Sequence, residues 1–580
     1  MSQTLKSSSS RSYVIRCAVV AALAGFLFGF DTIVISGAEQ KIQSLWRLNG
    51  LMHGLCTSAA LWGTVLGALF GGWPTERFGR RKTLLSIGML YFVSAVGSGI
   101  APEQYFFMVA RFIGGLGVGI ATVASPLYIS EISPPKLRGR LAGMFQFNIV
   151  FGILIAFVSN YFLGQYASKE VAWRWMLGVE AFPALLYTIL CFSIPESPRW
   201  LIVHGGQREA GTEIFRKINP GMSEPEINEL VDAVDASVGD RATAAKFFTM
   251  RLRVPIMLAF LIAAFNQLSG INAILYFAPR LLGLAGISNP LSASVGIGMT
   301  NLVFTFVGLW LIDKLGRRTL LYIGSFGYIA SLGICAFFFL AFPGFRVVSS
   351  AIDVENSTDQ MIRIEQPDTP LSDKDKDEIR TDYAKAKDAL IAATKQEGYS
   401  GTEVTMPQLE EDLVKQRELA GEIAEKEAEK KKVEEAGGDV EKVEDEIAKL
   451  KEKKKDLLPA KRKTEASGIL GSKSLVVLFS IMFFIAAHAI GQGAVIWVFI
   501  SEIFPNRNRA AGQALGSFTH WLFAASITLA FPIAIKALDA GVLFAFFCGM
   551  MCLQLIWVKL MVPETKGVSL EEMQKKMGIE

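Results

Sequence analysis

Three ionisable residues interrupt long apolar runs: Asp31 in Phe28-Gly29-Phe30-Asp31, Arg111 and Glu180. A charge inside a run long enough to cross a bilayer costs about 2.5 kcal/mol or more near the centre, so each needs a partner and a task. Asp31 lies about five residues before the far end of the first run, Arg111 about six residues into the fourth and Glu180 about seven into the sixth. At about 1.5 Å per residue, all three sit some 7–11 Å below the same boundary. An acid, a base and an acid at one depth can form a buried cluster. One arginine cannot fully compensate two carboxylates, so one acid should bind a proton readily. That is what a proton-coupling site requires. The competing reading is a static salt-bridge staple.

The elements that must position these residues are membrane helices. Of 580 residues, 51% are apolar and 19% charged, with mean hydropathy +0.37. The charge is concentrated between about Arg346 and Ala466. Outside that stretch lie apolar runs of about twenty residues, the length that spans a bilayer core. A soluble enzyme is excluded. The net charge of +4, from 58 basic and 54 acidic residues, argues against nucleic acid as a partner. All six cysteines fall in apolar segments, so a disulfide framework is not expected. The first run is too long for the apolar core of a removable signal peptide. The chain therefore reads as an all-α membrane protein with twelve transmembrane helices. These cover about 13–36, 51–72, 83–101, 105–129, 141–164, 173–194, 253–275, 290–312, 319–342, 472–501, 511–536 and 540–561.

Short loops set the orientation. Arg77, Arg80, Arg81 and Lys82 follow helix 2, and Lys136, Arg138 and Arg140 follow helix 4. Lys314, Arg317 and Arg318 follow helix 8, and Arg507 and Arg509 follow helix 10. The opposite loops are poor in Lys and Arg, which places both termini in the cytoplasm. The two halves repeat. Phe78-Gly79-Arg80-Arg81 recurs as Leu315-Gly316-Arg317-Arg318, Ser130-Glu131-Ile132 as Ser501-Glu502-Ile503, and Pro195-Glu196-Ser197 as Pro563-Glu564-Thr565. The first shift is 237 positions and the other two are 371 and 368, so an insert of about 120 residues follows helix 9. A six-helix unit in parallel duplication places a substrate site between its halves near the midplane. The expected domains are 1–202, a six-helix half; 203–250, cytoplasmic linker helices; 251–343 with 468–580, the second half; and 344–467, a charged helical insert outside the membrane.

Within the insert, Met406 to Glu435 and Val440 to Leu458 read as a helical hairpin broken at Gly437-Gly438-Asp439, and Ser372-Asp373 could cap an earlier helix through Ala392. A solvated charged spacer and a coiled coil that binds a protein partner both fit. At the cytoplasmic rim, Arg80, Arg81, Glu131, Arg138, Glu196, Arg199, Arg317, Arg318, Glu502 and Arg509 can form a network that pairs when the inner mouth closes and separates when it opens. The alternative is that the arginines only set topology.

These motifs, with Pro198-Arg199-Trp200, Gln267-Leu268-Ser269-Gly270-Ile271-Asn272 and Glu564-Thr565-Lys566-Gly567, resemble the sugar porter family of the major facilitator superfamily over all twelve helices but not the insert. The resemblance implies alternating access by two rocking six-helix halves. It is closest in coupling chemistry to the xylose–proton and plant sugar–proton symporters, which carry an acid at the place of Asp31 and an arginine at Arg111. Facilitative glucose transporters are neutral at the first position. The resemblance also implies substrate-binding roles for Gln146, Gln267, Asn272, Tyr276, Asn301, Trp497, His520 and Trp521. Amides suit hydroxyls, and indoles cover the apolar face of a pyranose. Asn266, Ile153, His520, Gly493-Ala494 and Glu76 depart from family residues, and Gly493-Ala494 puts the hinge of helix 10 in doubt.

The expectation is a proton-coupled monosaccharide symporter of the plasma (bacterial inner) membrane that takes up a hexose or pentose. Its partners are the sugar, the proton and the lipid bilayer. It is not an enzyme, and it shows no cofactor or metal motif. A facilitative uniporter and a sugar sensor signalling through the insert are the alternatives. In a eukaryotic host Asn356-Ser357-Thr358 would be a glycosylation acceptor.

Overall fold

The computed structural model describes residues 2–579 apart from 169, 237–246, 365–372, 436–439, 506 and 569. Among the described residues there are helices and no strands. Twelve are apolar and long enough to cross a bilayer: Arg11–Leu45, Gly50–Phe70, Arg80–Ile100, Gln104–Ile132, Leu137–Tyr166, Ala172–Cys191, Met250–Tyr276, Pro290–Leu315, Arg317–Ala341, Ser472–Ile503, Arg509–Ala537 and Ala540–Met561. They are called spans 1 to 12 below. Each coincides with an expected membrane helix.

Span 1 corrects one boundary. It continues past the expected end near 36 to Leu45, so counting from its end misjudges the depth of Asp31. The added turns carry Glu39, which looks like a loop residue in the sequence. The helix tolerates it because the carboxylate is fully buried against Arg280 and His53.

Three spans are interrupted. Span 6 is interrupted between Ala172–Gly178 and Ala181–Cys191. Pro183 has no N–H for the Val179 carbonyl, which Phe182 serves instead at 3.2 Å, and Glu180 sits at that bend. In span 7, Arg253–Leu268 stops at Gly270, whose φ is +85°, before Ile271–Tyr276 and then Ala278–Leu284. Span 10 breaks at Gly491, between Ser472–Ile490 and Gln492–Ile503. A break is therefore present, two residues before Gly493-Ala494 and without proline.

The spans pack through small residues, as helices in lipid do. The join between the first six and last six spans is tightest where spans 2 and 11 cross: a Cβ on Gly54 would stand 2.0 Å from the Leu529 carbonyl oxygen. That crossing lies on the face that carries the insert.

The insert is a folded unit. Pro343–Ile364, Asp373–Thr394, Met406–Glu435, Glu441–Lys455 and Ala460–Leu470 are helices. The first was not expected. Its Val347, Ala351 and Val354 recur at helical spacing and are buried in one core with Leu390, Leu409, Leu413, Ala466 and Leu470. The expected hairpin is held by Lys426–Glu446 at 2.7 Å, Lys430–Glu444 at 2.6 Å and Lys451–Glu427 at 2.8 Å. Its second arm starts at Glu441 and stops at Lys455, short of the expected 458. The proposed break at 437–439 and cap at Ser372 fall outside the described residues. Asn356-Ser357-Thr358 lies inside a helix with Thr358 buried, and so is not in an exposed loop.

Candidate functional site

The three intramembrane charges meet. Arg111 Nη1 donates to Asp31 Oδ1 at 2.5 Å, and Nη2 to the Asp31 carbonyl oxygen at 2.7 Å. Asp31, Arg111 and Glu180 are each 1% exposed. Asp31 Oδ2 and both Glu180 oxygens have no hydrogen-bond donor among the described residues, and the two carboxyls are within electrostatic reach of each other. A buried carboxylate without a donor is expensive, whereas two carboxyls sharing one proton satisfy each other. The cluster thus has room for a proton and one arginine for two acids. Sequence reasoning missed the surrounding hydroxyls. Tyr91 and Ser94 of span 3 are buried with no partner among the described residues. Tyr91 is within electrostatic reach of both acids. Ser94 reaches the Asp31 side because Gly114 has no side chain there: a Cβ would stand 2.4 Å from Ser94 Oγ and 3.4 Å from Asp31 Oδ1.

A second cluster is built of amides and rings. Gln267 Nε2 donates to Asn266 Oδ1 at 2.9 Å and lies 3.2 and 3.3 Å from the His520 ring nitrogens. Asn272 Nδ2 donates to Gln267 Oε1 at 2.7 Å. His520 lies between two indoles, tilted against Trp497 at 5.3 Å and edge-on to Trp521 at 4.8 Å by ring centroids, and Phe28 of span 1 lies 5.6 Å from Trp521. Gln267 is buried while Asn272, His520 and Trp497 are half-buried, so the network has one dry side and one open side. Five expected residues, Gln267, Asn272, Trp497, His520 and Trp521, therefore converge. Asn266 joins them as a missed member, one position from an expected one. Tyr276 is buried on the same short helix as Asn272, a helix that packs against span 1, and is within electrostatic reach of Arg111 and Asp31. Gln146 and Asn301 make no side-chain hydrogen bond to either cluster among the described residues.

At the face opposite the insert, the two halves of the chain repeat one construction. Arg80 grips Glu131 through Nε and Nη2, both at 2.9 Å. Arg317 grips Glu502 at 3.0 and 2.7 Å. The backbone N–H groups of Arg80 and Arg81 donate to Glu196, at 2.8 and 3.1 Å, and those of Arg317 and Arg318 to Glu564, at 2.9 and 3.0 Å. Gly79 and Gly316 precede them with φ of +94° and +91°. Besides that conformation, a Cβ would come within 2.5 Å of Glu196 Oε2 and 2.6 Å of Glu564 Oε2. Glu564 was missing from the expected rim set, although its repeat with Glu196 pointed to it. Arg80, not Arg138, is the partner of Glu131, and Arg317, not Arg509, that of Glu502. Arg138, Arg199 and Arg509 make no ion pair to these acids among the described residues. Each pair also stays within its own six spans and does not bridge the two sets.

A sequence description of the Sugar (and other) transporter family matches residues 17–352 and 457–577. The chain belongs to that family. The unmatched gap falls in the insert. This sugar transporter is 37% identical to the glucose transport protein of Synechocystis over 59% of its own length and 75% of that protein. It is 32% identical to the D-xylose-proton symporter of Escherichia coli over 59% of its own length and 75% of that one. It is 28% identical to the probable inositol transporter 2 of Arabidopsis thaliana, over 97% of this chain and 91% of that one. In three dimensions it is similar to the inward-open xylose transporter of E. coli, with a TM-score of 0.66 at 26% identity, over 97% of this chain and all of that one. Family and fold point to transport and not to catalysis.

Proposed function

We propose that this transporter carries a monosaccharide together with a proton, with the insert outside and both termini inside. The observation that carries the reading is the buried Asp31–Arg111–Glu180 cluster, with two acids, one base and three carboxylate oxygens lacking donors among the described residues. A proton arriving from outside neutralises Asp31 and loosens its hold on Arg111. Tyr276 is within electrostatic reach of this cluster and shares a short helix with Asn272, which gives the change a route to the amides that would hold sugar hydroxyls. The sugar then replaces the hydrogen bonds that Gln267, Asn272 and His520 make among themselves, and its apolar face lies on Trp497 or Trp521. The symporters of xylose and, in Bacillus subtilis, arabinose among the relatives support this reading.

The test is proton flux in liposomes on adding D-xylose, D-glucose, D-galactose or myo-inositol, for wild type and Asp31→Asn. Alkalinisation outside with one substrate, lost in the variant while sugar exchange persists, is the expected result. Sugar flux without a proton signal in wild type would make Asp31 a staple and the protein a uniporter. Binding without flux would favour a sensor.

One observation favours a cyclic polyol as substrate. The two inositol transporters of A. thaliana align over 97% and 98% of this chain, insert included, whereas the xylose symporter aligns over 59%. The myo-inositol arm of the same experiment decides it.

A further inference from the structure

On the insert face an ion pair joins the first six spans to the last six. Arg280, in the short helix Ala278–Leu284, donates from Nε and Nη2 to the two oxygens of Glu39 in span 1, at 3.0 and 2.8 Å, and from Nη2 to Gln43 Oε1 at 2.5 Å. His53 of span 2 stands 2.9 Å from the same carboxylate, and Glu39 and His53 are both fully buried. The pair closes this face beside the Gly54–Leu529 crossing.

A second carboxylate stands behind Arg280. Asp353 is on the insert helix Pro343–Ile364, which packs against Ala278–Leu284. It interacts electrostatically with Arg280 and Lys536, and makes no ion pair of its own among the described residues. Asp353 is exposed to water. Lys536 is engaged with Asp382 at 2.7 Å. That bond, with Arg346–Asp539 at 3.0 Å, fastens the insert to spans 11 and 12, so Arg280 and Asp353 are fixed to the same half.

Opening this face separates Glu39 from Arg280. A guanidinium stripped of its partner in a mostly dehydrated place resists that step. We propose that Asp353 is the second partner of Arg280: the insert supplies the carboxylate that receives the guanidinium when Glu39 leaves, and so sets how readily this face opens. Asp353 is then a positioning residue for the transport cycle, and the insert is part of the gate and not an appendage. The inference rests on the alternating-access reading.

Its mark is opposite signs. Removing the closed-state partner favours opening, and removing the open-state partner opposes it. Spin labels at Asn49→Cys and Ala537→Cys, which line the cleft between spans 2 and 11 on this face, report its width in the full-length protein by pulsed dipolar spectroscopy. Glu39→Gln should raise the ratio of long-distance to short-distance populations about fivefold or more, and Asp353→Asn should lower it by a similar factor. Asp353→Glu, which keeps the charge, should restore the wild-type ratio. A shift of both variants in the same direction, or an unchanged ratio in Asp353→Asn, overturns the proposal and leaves the transport reading standing. A wild-type distance that stays single with every sugar and at every proton gradient overturns alternating access, and the proposal with it.

Discussion

The first six spans and the last six carry the same rim and different centres. Each rim has a glycine with positive φ, an arginine gripping a glutamate, and a second glutamate that takes two backbone N–H groups. In the first set the centre is Asp31, Arg111 and Glu180, all ionisable and all buried. In the last set it is Asn266, Gln267, Asn272, His520 and two indoles, built for hydrogen bonding and stacking. Duplication kept what holds helix ends together and divided the centres, placing charges on one side and amides and rings on the other. On the proposed function, coupling then needs a bridge. Tyr276, on a last-set helix and within electrostatic reach of the first set's charges, is the candidate for it.

The division is broken most decisively at the centres. With Asp31→Asn, accumulation driven by a membrane potential of 100 mV should fall from about 50-fold to none, since one charge gains about 2.3 kcal/mol there. Exchange of sugar across the same liposomes should continue. With Gln267→Ala, two hydrogen bonds of about 1 kcal/mol each are lost, so sugar affinity should fall about 30-fold while the protons moved per sugar stay unchanged. Isothermal binding together with the ratio of proton to sugar flux checks both. A Gln267 variant that lost coupling, or an Asp31 variant that lost only affinity, would erase the distinction.

A smaller effect separates the two rims. The Arg80–Glu131 side chains are 4% and 8% exposed, the Arg317–Glu502 side chains 11% and 28%. Removing one member of a buried pair strands a charge at a cost of about 3 kcal/mol, whereas a more hydrated pair is worth about 1 kcal/mol. Glu131→Gln should therefore lower the thermal midpoint of the solubilised protein more than Glu502→Gln does. The reverse order would mean that the second rim carries the stability.

The spans and the rim motifs were legible because length, hydropathy and basic loops act locally. The depth count found the charged cluster even though span 1 overruns its apolar segment by nine residues. Arg111 reaches both the side chain and the carbonyl of Asp31, and its long side chain tolerates an error of a turn. Local signals do not say which distant residue will neutralise a charge. Glu39 looked like a loop residue because Arg280, 241 positions away, was invisible to the count. Glu131 was placed in a rim network with several arginines, and only the fold shows that it is Arg80 that grips it. The core of the insert was missed because its apolar residues are few and are spread over separate helices; Val347 and Leu409 join one core only when the chain folds back.

The smallest contrast is one of sign. Glu196 and Glu564 occupy equivalent places, beyond the ends of spans 6 and 12, and each accepts backbone N–H groups. Burial dominates at Glu196 and pushes its carboxyl above the ordinary glutamate range. At Glu564, burial also acts upward, but it is outweighed by the N–H groups of Lys566, Arg317, Arg318 and Thr565, which hold the carboxyl below that range. A raised native value means the folded state binds the proton more tightly, so the contribution of Glu196 is present at low pH and is lost as pH rises through its native value. A lowered one means the contribution of Glu564 is present above the ordinary value and is lost as pH falls through its native value. Between about pH 6 and pH 4, acidification should strengthen the Glu196 rim and weaken the Glu564 rim. The measurement is the thermal midpoint of Glu196→Gln and Glu564→Gln against wild type at those two values. The penalty of Glu564→Gln should shrink on acidification, because wild type loses the same contribution. That of Glu196→Gln should not shrink. Both penalties shrinking together would mean that the backbone donors outweigh burial at both rims and that the two are electrostatically alike.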